Sequence, residues 1–532
     1  MPASTGRPGP SSDIDARLRR AHQLQRQGRW EEAGAQCLAV LRQAPAHAGA
    51  LLRLGLVRTR AGDPAAALEP IGRAIAIEPT AAAHAGLGHT LRALKRNQEA
   101  VDSFDLALAL EPDQVEVLFN RGNALRDLKQ LEPALASYER VLALRPDHAR
   151  ALNNRGTVLR ILRRYDEALA SYDHALTLTP DDAGLHNNRG NVLLAMRRHE
   201  EALASYQRAL ELKPDHAGAH WNEGLCRLLL GDLAGGWRQY EWRWQRPTFS
   251  SRRRDFDPPL WRGEHPLAGQ TILLHAEQGL GDTIQFCRYA ELVAAQGATV
   301  VLEVQPPLQS LMRSLRGPAQ VLAQGQPLPD FDCHCPLLSL PLAFDTRVET
   351  VPAPVPYLTA PEERSAFWRE RLGPCSLPRV GLVWSGQPKH RNDHNRSMSL
   401  SVLAPLLGQR AGFVSLQKEL RAGDRDFLDA HPEILNLGVE LDDFADTAGL
   451  VDALDLVIAV DTSVAHLAGA LGKPVWVLLP FTPDWRWLLH RPDSPWYPTA
   501  RLFRQPAIGD WGRVIGSVAE ALATFASVPA AR

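Results

Sequence analysis

Apolar residues in roughly the first 245 positions recur at helical spacing, in blocks that each close on a proline. Pro45, Pro79, Pro112, Pro146, Pro180 and Pro214 stand 34, 33, 34, 34 and 34 residues apart. Inside each block a small residue keeps phase (Ala21, Gly55, Gly88, Gly122, Gly156, Gly190, Gly224), and so does a second (Ala33, Ala67, Ala100, Ala134, Ala168, Ala202). A third column is bulky: Ile71, Phe104, Tyr138, Tyr172, Tyr206, Tyr240. Small residues let two helices approach, the bulky one fills the gap, and proline stops the second helix. The pattern predicts six helix hairpins over residues 14–216, a diverging seventh to about 245, and a disordered tail over 1–13. One hairpin cannot bury its own apolar face, so the units stack into a solenoid.

After a proline- and arginine-rich connector, 246–270, the period changes. Short apolar runs at Thr271–His275, Thr299–Val304, Val380–Trp384, Gly412–Leu416, Leu456–Val460 and Val475–Leu479 read as strands. Helices are predicted near Asp282–Gln296 and Pro307–Leu315. Two successive β/α series imply two Rossmann-like, doubly wound lobes, 271–365 and 366–532, with a cleft at the carboxyl ends of the strands. The expected class is therefore α plus α/β.

Composition narrows the partners. The chain has 532 residues, 45% hydrophobic and 22% charged, with net charge −1. That balance argues against a whole-chain nucleic-acid binder. No apolar run approaches the roughly 20 residues that span a bilayer, and residues 1–14 carry no secretory h-region. Six cysteines make no disulfide scaffold, so a cytoplasmic location is expected. The arginine run Arg252–Arg254 reads as a solvated face or an interdomain contact.

Candidate chemistry falls at strand ends. In His275-Ala-Glu-Gln-Gly279-Leu-Gly281-Asp282-Thr283, the loop residues Gln278, Gly279 and Gly281 let a ligand approach backbone. Asp282 is either a general base or, with Gln285, a capping box. Ile284 stands where a dinucleotide fingerprint needs glycine, and the chain has no Walker A motif. The loop Ser385–Ser397, with Lys389 and Arg391, is a diphosphate clamp or a solvated basic loop. Asp461, Thr462, Ser463 and His466 follow a strand at a helix start, where either phosphate or a simple N-cap fits. The aromatic stretch with Trp485, Arg486, Trp487, Trp496 and Tyr497 closes over a base or sugar, or packs between lobes. Cys333-His334-Cys335 is a poor tetrahedral site, so no metal is assigned; His334 reads as a cleft residue. Asn120, Asn154, Asn188 and Asn222 form an amide ladder, accompanied by Asn153, Asn187, Asn123 and Asn191. These amides either hold an extended peptide in the inner groove or bond neighbouring repeats.

The period and columns resemble the tetratricopeptide repeat. His275–Tyr289, Cys335–Pro341, Val383–Ser397 and Asp461–Pro474 resemble bacterial tetratricopeptide proteins with a carboxyl-terminal glycosyltransferase family nine domain, the family of the lipopolysaccharide heptosyltransferases. The plan is also similar to O-GlcNAc transferase, where repeats precede a GT-B region and an asparagine ladder binds substrate protein. The resemblance implies a GT-B fold and an inverting hexosyl- or pentosyl-type transfer from a nucleotide-diphosphate sugar, without metal or cofactor. It places Asp282 and His466 as catalytic side chains. Lys389, Arg391, Asp461, Thr462 and Ser463 then lie on the donor diphosphate, and Gln278, Gly279, Gly281 and His334 on the acceptor side. A protein or glycan acceptor is expected along the repeat groove at Asn120, Asn154, Asn188 and Asn222. The family's acidic nucleotide contact has no match, since the strand ending at Leu416 leads into Gln417 and Lys418. The alternative is a non-catalytic interaction scaffold with a degenerate transferase domain. A lipopolysaccharide-core transferase accounts for the lobes but not for the repeats.

Overall fold

The computed structural model describes residues 10–249, 251, 253–390 and 392–527. They divide into two compact units at Pro214/Asp215.

In the first unit, twelve helices between Pro10 and Leu212 form six hairpins, from Pro10–Arg26 with Trp30–Gln43 to Ala183–Ala195 with His199–Leu212. The expected tail over 1–13 lies outside the described residues as far as residue 9, and Pro10 already opens a helix. Each hairpin is closed by the packing that its columns predict. A Cβ built on Gly122 would meet the Tyr138 ring at 2.7 Å, and one on Gly190 would meet Tyr206 at 2.5 Å. The alanines of the second column, such as Ala134 and Ala168, are wholly buried. The turns between paired helices pass through left-handed backbone, at Gly28 and Gly62 and then at Lys95, Lys129, Arg163 and Arg197. Gly122→Val is expected to lower the stability of this unit by about 3 kcal/mol through overpacking. Gly72, with open space around it, should accept alanine with a gain of up to about 1 kcal/mol. Thermal melts followed by circular dichroism separate the two.

The second unit opens with one more hairpin, Ala217–Leu230 and Leu233–Tyr240. Sequence spacing placed it at the end of the solenoid, but it packs into the α/β unit. Trp237 meets Trp485 edge-on at 5.1 Å and Phe286 at 6.2 Å. Beyond it stand two all-parallel sheets. The first holds β1 (Thr271–His275), β2 (Thr299–Val304), β3 (Pro318–Ala323) and β4 (Cys333–Pro336), in the order β3-β2-β1-β4. The second holds β5 (Arg379–Val383), β6 (Gly412–Ser415), β7 (Ile434–Asn436), β8 (Leu456–Val460), β9 (Val475–Leu479) and β10 (Ala500–Arg504). Its order is β10-β9-β8-β5-β6-β7. Winding outward in both directions from β5 and β8 makes their carboxyl ends the switch point, where such sheets leave a crevice. One face of this sheet is closed by helix Trp511–Ser527, whose Val514, Ile515, Val518 and Leu522 pack with Val380, Leu382 and Ile458.

Three expectations change. The helix over Asp282–Gln296 is two, Leu280–Phe286 and Tyr289–Ala295, and that over Pro307–Leu315 shrinks to Gln309–Met312 behind a 3-10 turn. The lobe boundary moves ahead of residue 365. Helix Glu362–Leu372 packs on Phe444–Asp452 of the second sheet, with Trp368 Nε1 donating to Asp446 at 2.9 Å and Arg369 pairing with Asp452 at 2.7 Å.

Candidate functional site

The carboxyl ends of β5 and β8 place Ser385 beside Asp461 and Thr462. Ser385 and Thr462 are both buried, and neither hydroxyl oxygen has a hydrogen-bond partner among the described residues. Thr462 caps helix Ser463–Ala470 by position but not by side chain, so its oxygen stays available at the positive end of the helix. Arg396 crosses between the two strand ends: its Nη1 donates to the Asp461 carbonyl at 2.9 Å, and its buried Nε has no partner. A Cβ on Gly386 would strike that guanidinium at 2.7 Å, so glycine is what lets the arginine lie there. Gln417 accepts from the Ser385 amide at 3.2 Å. Arg421 braces the loop through Asp393 (2.7 Å) and the Gly386 carbonyl (2.9 Å).

Opposite this cradle, helix Leu280–Phe286 comes in from the first sheet. Gly281 is its point of contact: a Cβ there would lie 2.9 Å from His466 Cδ2. His466 Nδ1 bonds the Tyr497 hydroxyl at 2.9 Å, its Nε2 lies 3.7 Å from Asp461, and its ring stacks on Trp487. Burial, with Arg486, Arg288 and Arg396 nearby, drives its pKa well below the ordinary imidazole range, so the ring is neutral. Burial and the neighbouring Asp484 push the Asp461 carboxyl up. Asp282 does not form a capping box with Gln285: it stands third in helix Leu280–Phe286 behind Gly279, where one oxygen accepts the Gly279 amide at 2.7 Å and the other is paired with Arg486. Arg486 also reaches Asp484 at 2.8 Å and Gln285 at 2.9 Å and lies over Trp485. The aromatic stretch after β9 thus packs between lobes and delivers an arginine to Asp282.

A second polar region lies at the carboxyl end of β1. A cavity of about 250 Å³ is lined by Trp244, Arg254, His275, Glu277, Gln278 and Gln324, among others. Gln278 donates to the Tyr240 hydroxyl at 2.7 Å. Arg243, entirely buried, pairs with Glu277 at 3.0 Å and Glu241 at 2.6 Å and donates to Ser339 at 2.7 Å. His334 lies in β4, with Nδ1 3.2 Å from His275 Nε2. Burial, seconded for His275 by His334 and for His334 by Arg253, pushes these imidazoles down to about 3 and about 4. Both are neutral when folded and take up protons on unfolding. Stability is therefore complete above about pH 6.5 and falls as the pH drops toward 4, at about 1.4 kcal/mol per pH unit for each ring. Urea midpoints taken across that range should show the slope, and His334→Gln should remove roughly half of it.

Lys389 is exposed in a turn of its loop. Arg391 lies outside the described residues. Ladder amides bond across neighbouring repeats: Asn154 donates to Asn123 at 2.8 Å, Asn188 donates to Asn153 at 3.0 Å, and Asn120 accepts from Arg92 at 2.9 Å. Asn222 belongs to the second unit, in helix Ala217–Leu230. Sequence reading singled out neither Ser385 nor Arg396, although both lie in the loop it marked. Among the described residues no group of three or more His, Cys, Asp or Glu is placed to hold a metal, and no helix is long and apolar enough to cross a membrane.

Family models described as tetratricopeptide repeat match residues 18–82, 60–115, 119–183 and 183–216. The first unit is a tetratricopeptide array. Arrays of this class are protein-interaction modules. Protein FlbA of Caulobacter vibrioides (strain ATCC 19089 / CIP 103742 / CB 15) is 28% identical over 329 residues, 56% of this chain and 54% of its own length. The chain thus spans about half of that relative. Among solved structures, YrrB, described as a TPR protein with an unusual peptide-binding site, is 22% identical, covering 34% of this chain and 95% of its own, with TM-score 0.32. Pseudomonas aeruginosa pilF is 21% identical, covering 40% of this chain and 96% of its own, with TM-score 0.37.

Proposed function

We propose that the α/β unit is a metal-independent inverting glycosyltransferase of the GT-B type. It takes a sugar from a nucleoside-diphosphate donor, and the tetratricopeptide array brings the protein or glycan acceptor. The observation that carries the reading is the pair of buried, unpartnered hydroxyls, Ser385 Oγ and Thr462 Oγ1, flanking Arg396 at the switch point of the second sheet. Hydroxyl donors, a guanidinium and the amide end of a helix match the oxygens and charge of a departing diphosphate. In this assignment Ser385, Arg396, Thr462 and Ser463 hold the leaving group, and the exposed Lys389 contributes little.

Asp282 faces the cradle from the opposite lobe. To act as base it must release one oxygen from Arg486 to the acceptor hydroxyl, and Asp484 is the partner that keeps the arginine in place meanwhile. The neutral His466, packed against Gly281, sets the spacing of the lobes. The test is turnover with a panel of nucleotide sugars in the presence of EDTA, measured as release of nucleoside diphosphate and sugar mass on acceptor. Asp282→Asn should lower turnover by at least about 10²-fold and leave nucleoside-diphosphate binding unchanged; normal turnover would remove Asp282 from catalysis.

The engagement of both Asp282 oxygens, by Gly279 and Arg486, favours a second reading: a lobe pair kept as a structural platform for an interaction scaffold. No nucleotide sugar would then be consumed by any preparation.

A further inference from the structure

Several amides of the ladder are engaged with neighbouring repeats, and other side chains on the same face offer a partner a different chemistry. Asn123 accepts both from Asn154 and from the Tyr138 hydroxyl (2.9 Å), and Asn120 donates to the Glu116 carbonyl at 2.7 Å. Beside these amides stands a second column at the repeat period: Arg92, Arg126 and Arg160, each in the last turn of the first helix of its hairpin and each only partly buried. Arg92 lies on the ladder side, where it donates to Asn120 at 2.9 Å, and the repeat period sets Arg126 and Arg160 at the equivalent positions of the next two hairpins. Arg150 lies over the Phe119 ring at 4.8 Å. In the described helices that carry this column the acidic residues are Glu116 and Asp127, the latter paired with its neighbour Arg126 at 3.1 Å.

We infer that the inner face of the array binds an extended acidic segment of a protein partner, with carboxylates seated on Arg92, Arg126 and Arg160. The inference rests on the reading of the array as a protein-interaction module. Spacing adds a further requirement. Helices in direct contact lie about 8–10 Å apart, and an extended chain advances about 3.3 Å per residue. Carboxylates at every third position of the segment therefore meet successive arginines. Guanidinium forks hold carboxylates in paired hydrogen bonds, so the arginine column selects side chains where an amide clamp would have held only backbone.

The test uses the full chain and three fluorescein-labelled peptides of equal length, carrying Glu, Gln or Lys at every third residue, with anisotropy as readout. The Glu peptide is expected to bind saturably, at least about tenfold tighter than the Gln peptide, and to weaken with added salt. The triple variant Arg92→Gln, Arg126→Gln, Arg160→Gln should lose at least about tenfold of that affinity. Its helical circular dichroism should match the parent, which separates lost recognition from lost fold. Equal binding of the Gln or Lys peptide would overturn acidic selection while leaving a peptide groove in place. Absence of binding by all three would overturn the groove with it. An undiminished triple variant would remove the arginine column from the interface.

Discussion

Arg243→Met should be among the most destabilising single changes in the 215–532 unit, lowering its stability by about 3–5 kcal/mol. The guanidinium is fully buried, lies over the rings of Tyr240 and Trp244, and joins Glu241, Glu277 and Ser339. Removing it strands two carboxylates in a site where burial already pushes Glu277 up, against the pull of Arg243. Methionine keeps most of the volume, so the loss reads as uncompensated charge and not as a cavity. Adding Glu277→Gln should recover part of it, because one of the two stranded charges is gone. Urea unfolding followed by tryptophan fluorescence measures both. A single variant as stable as the parent would mean that the hairpin Ala217–Tyr240 is not anchored through this residue.

Arg396→Gln is expected to weaken nucleoside-diphosphate binding by about 10–10²-fold, equivalent to one or two charge-assisted hydrogen bonds. The fold should tolerate the change, since the side chain's backbone acceptor is the Asp461 carbonyl and a glutamine amide can reach for it. Lys389→Ala, in contrast, should change affinity by less than about threefold, as expected of an exposed charge on a loop. If Lys389→Ala proves the more damaging of the two, the loop closes over the ligand and the clamp belongs to its turn.

Much of the architecture could be read along the chain because repetition multiplies a weak signal. Gly122 says little alone; Gly88, Gly122, Gly156 and Gly190 in phase with Phe104, Tyr138, Tyr172 and Tyr206 describe a packed hairpin. Strands buried on both faces, such as Leu456–Val460, announce themselves as unbroken apolar runs. The strands that escaped notice lack that mark: β3 begins with proline, β4 is Cys-His-Cys-Pro, β7 has three residues, and β10 is broken by Arg501 and Arg504. The seventh hairpin kept the repeat spacing while its aromatic residues turned toward Phe286 and Trp485, a change of partner that period alone does not carry. In the cradle, spacing located the loops after β5 and β8. Which side chain of Ser385–Ser397 would lie inward was decided by backbone turns: Gly386 makes room for Arg396, while Lys389 stays exposed. Arg486, some 200 residues from Asp282 in sequence, is a partner that only the fold brings near.

Calorimetric titration of the full chain with UDP, GDP, ADP, CMP and dTDP, in metal-free buffer, asks whether the cradle holds a nucleotide. Saturable binding of one of them is expected, weakened at least about tenfold by Thr462→Val and by Arg396→Gln and scarcely altered by Lys389→Ala. Absence of binding across the panel, or binding that neither cradle variant disturbs, would contradict that assignment of the cradle.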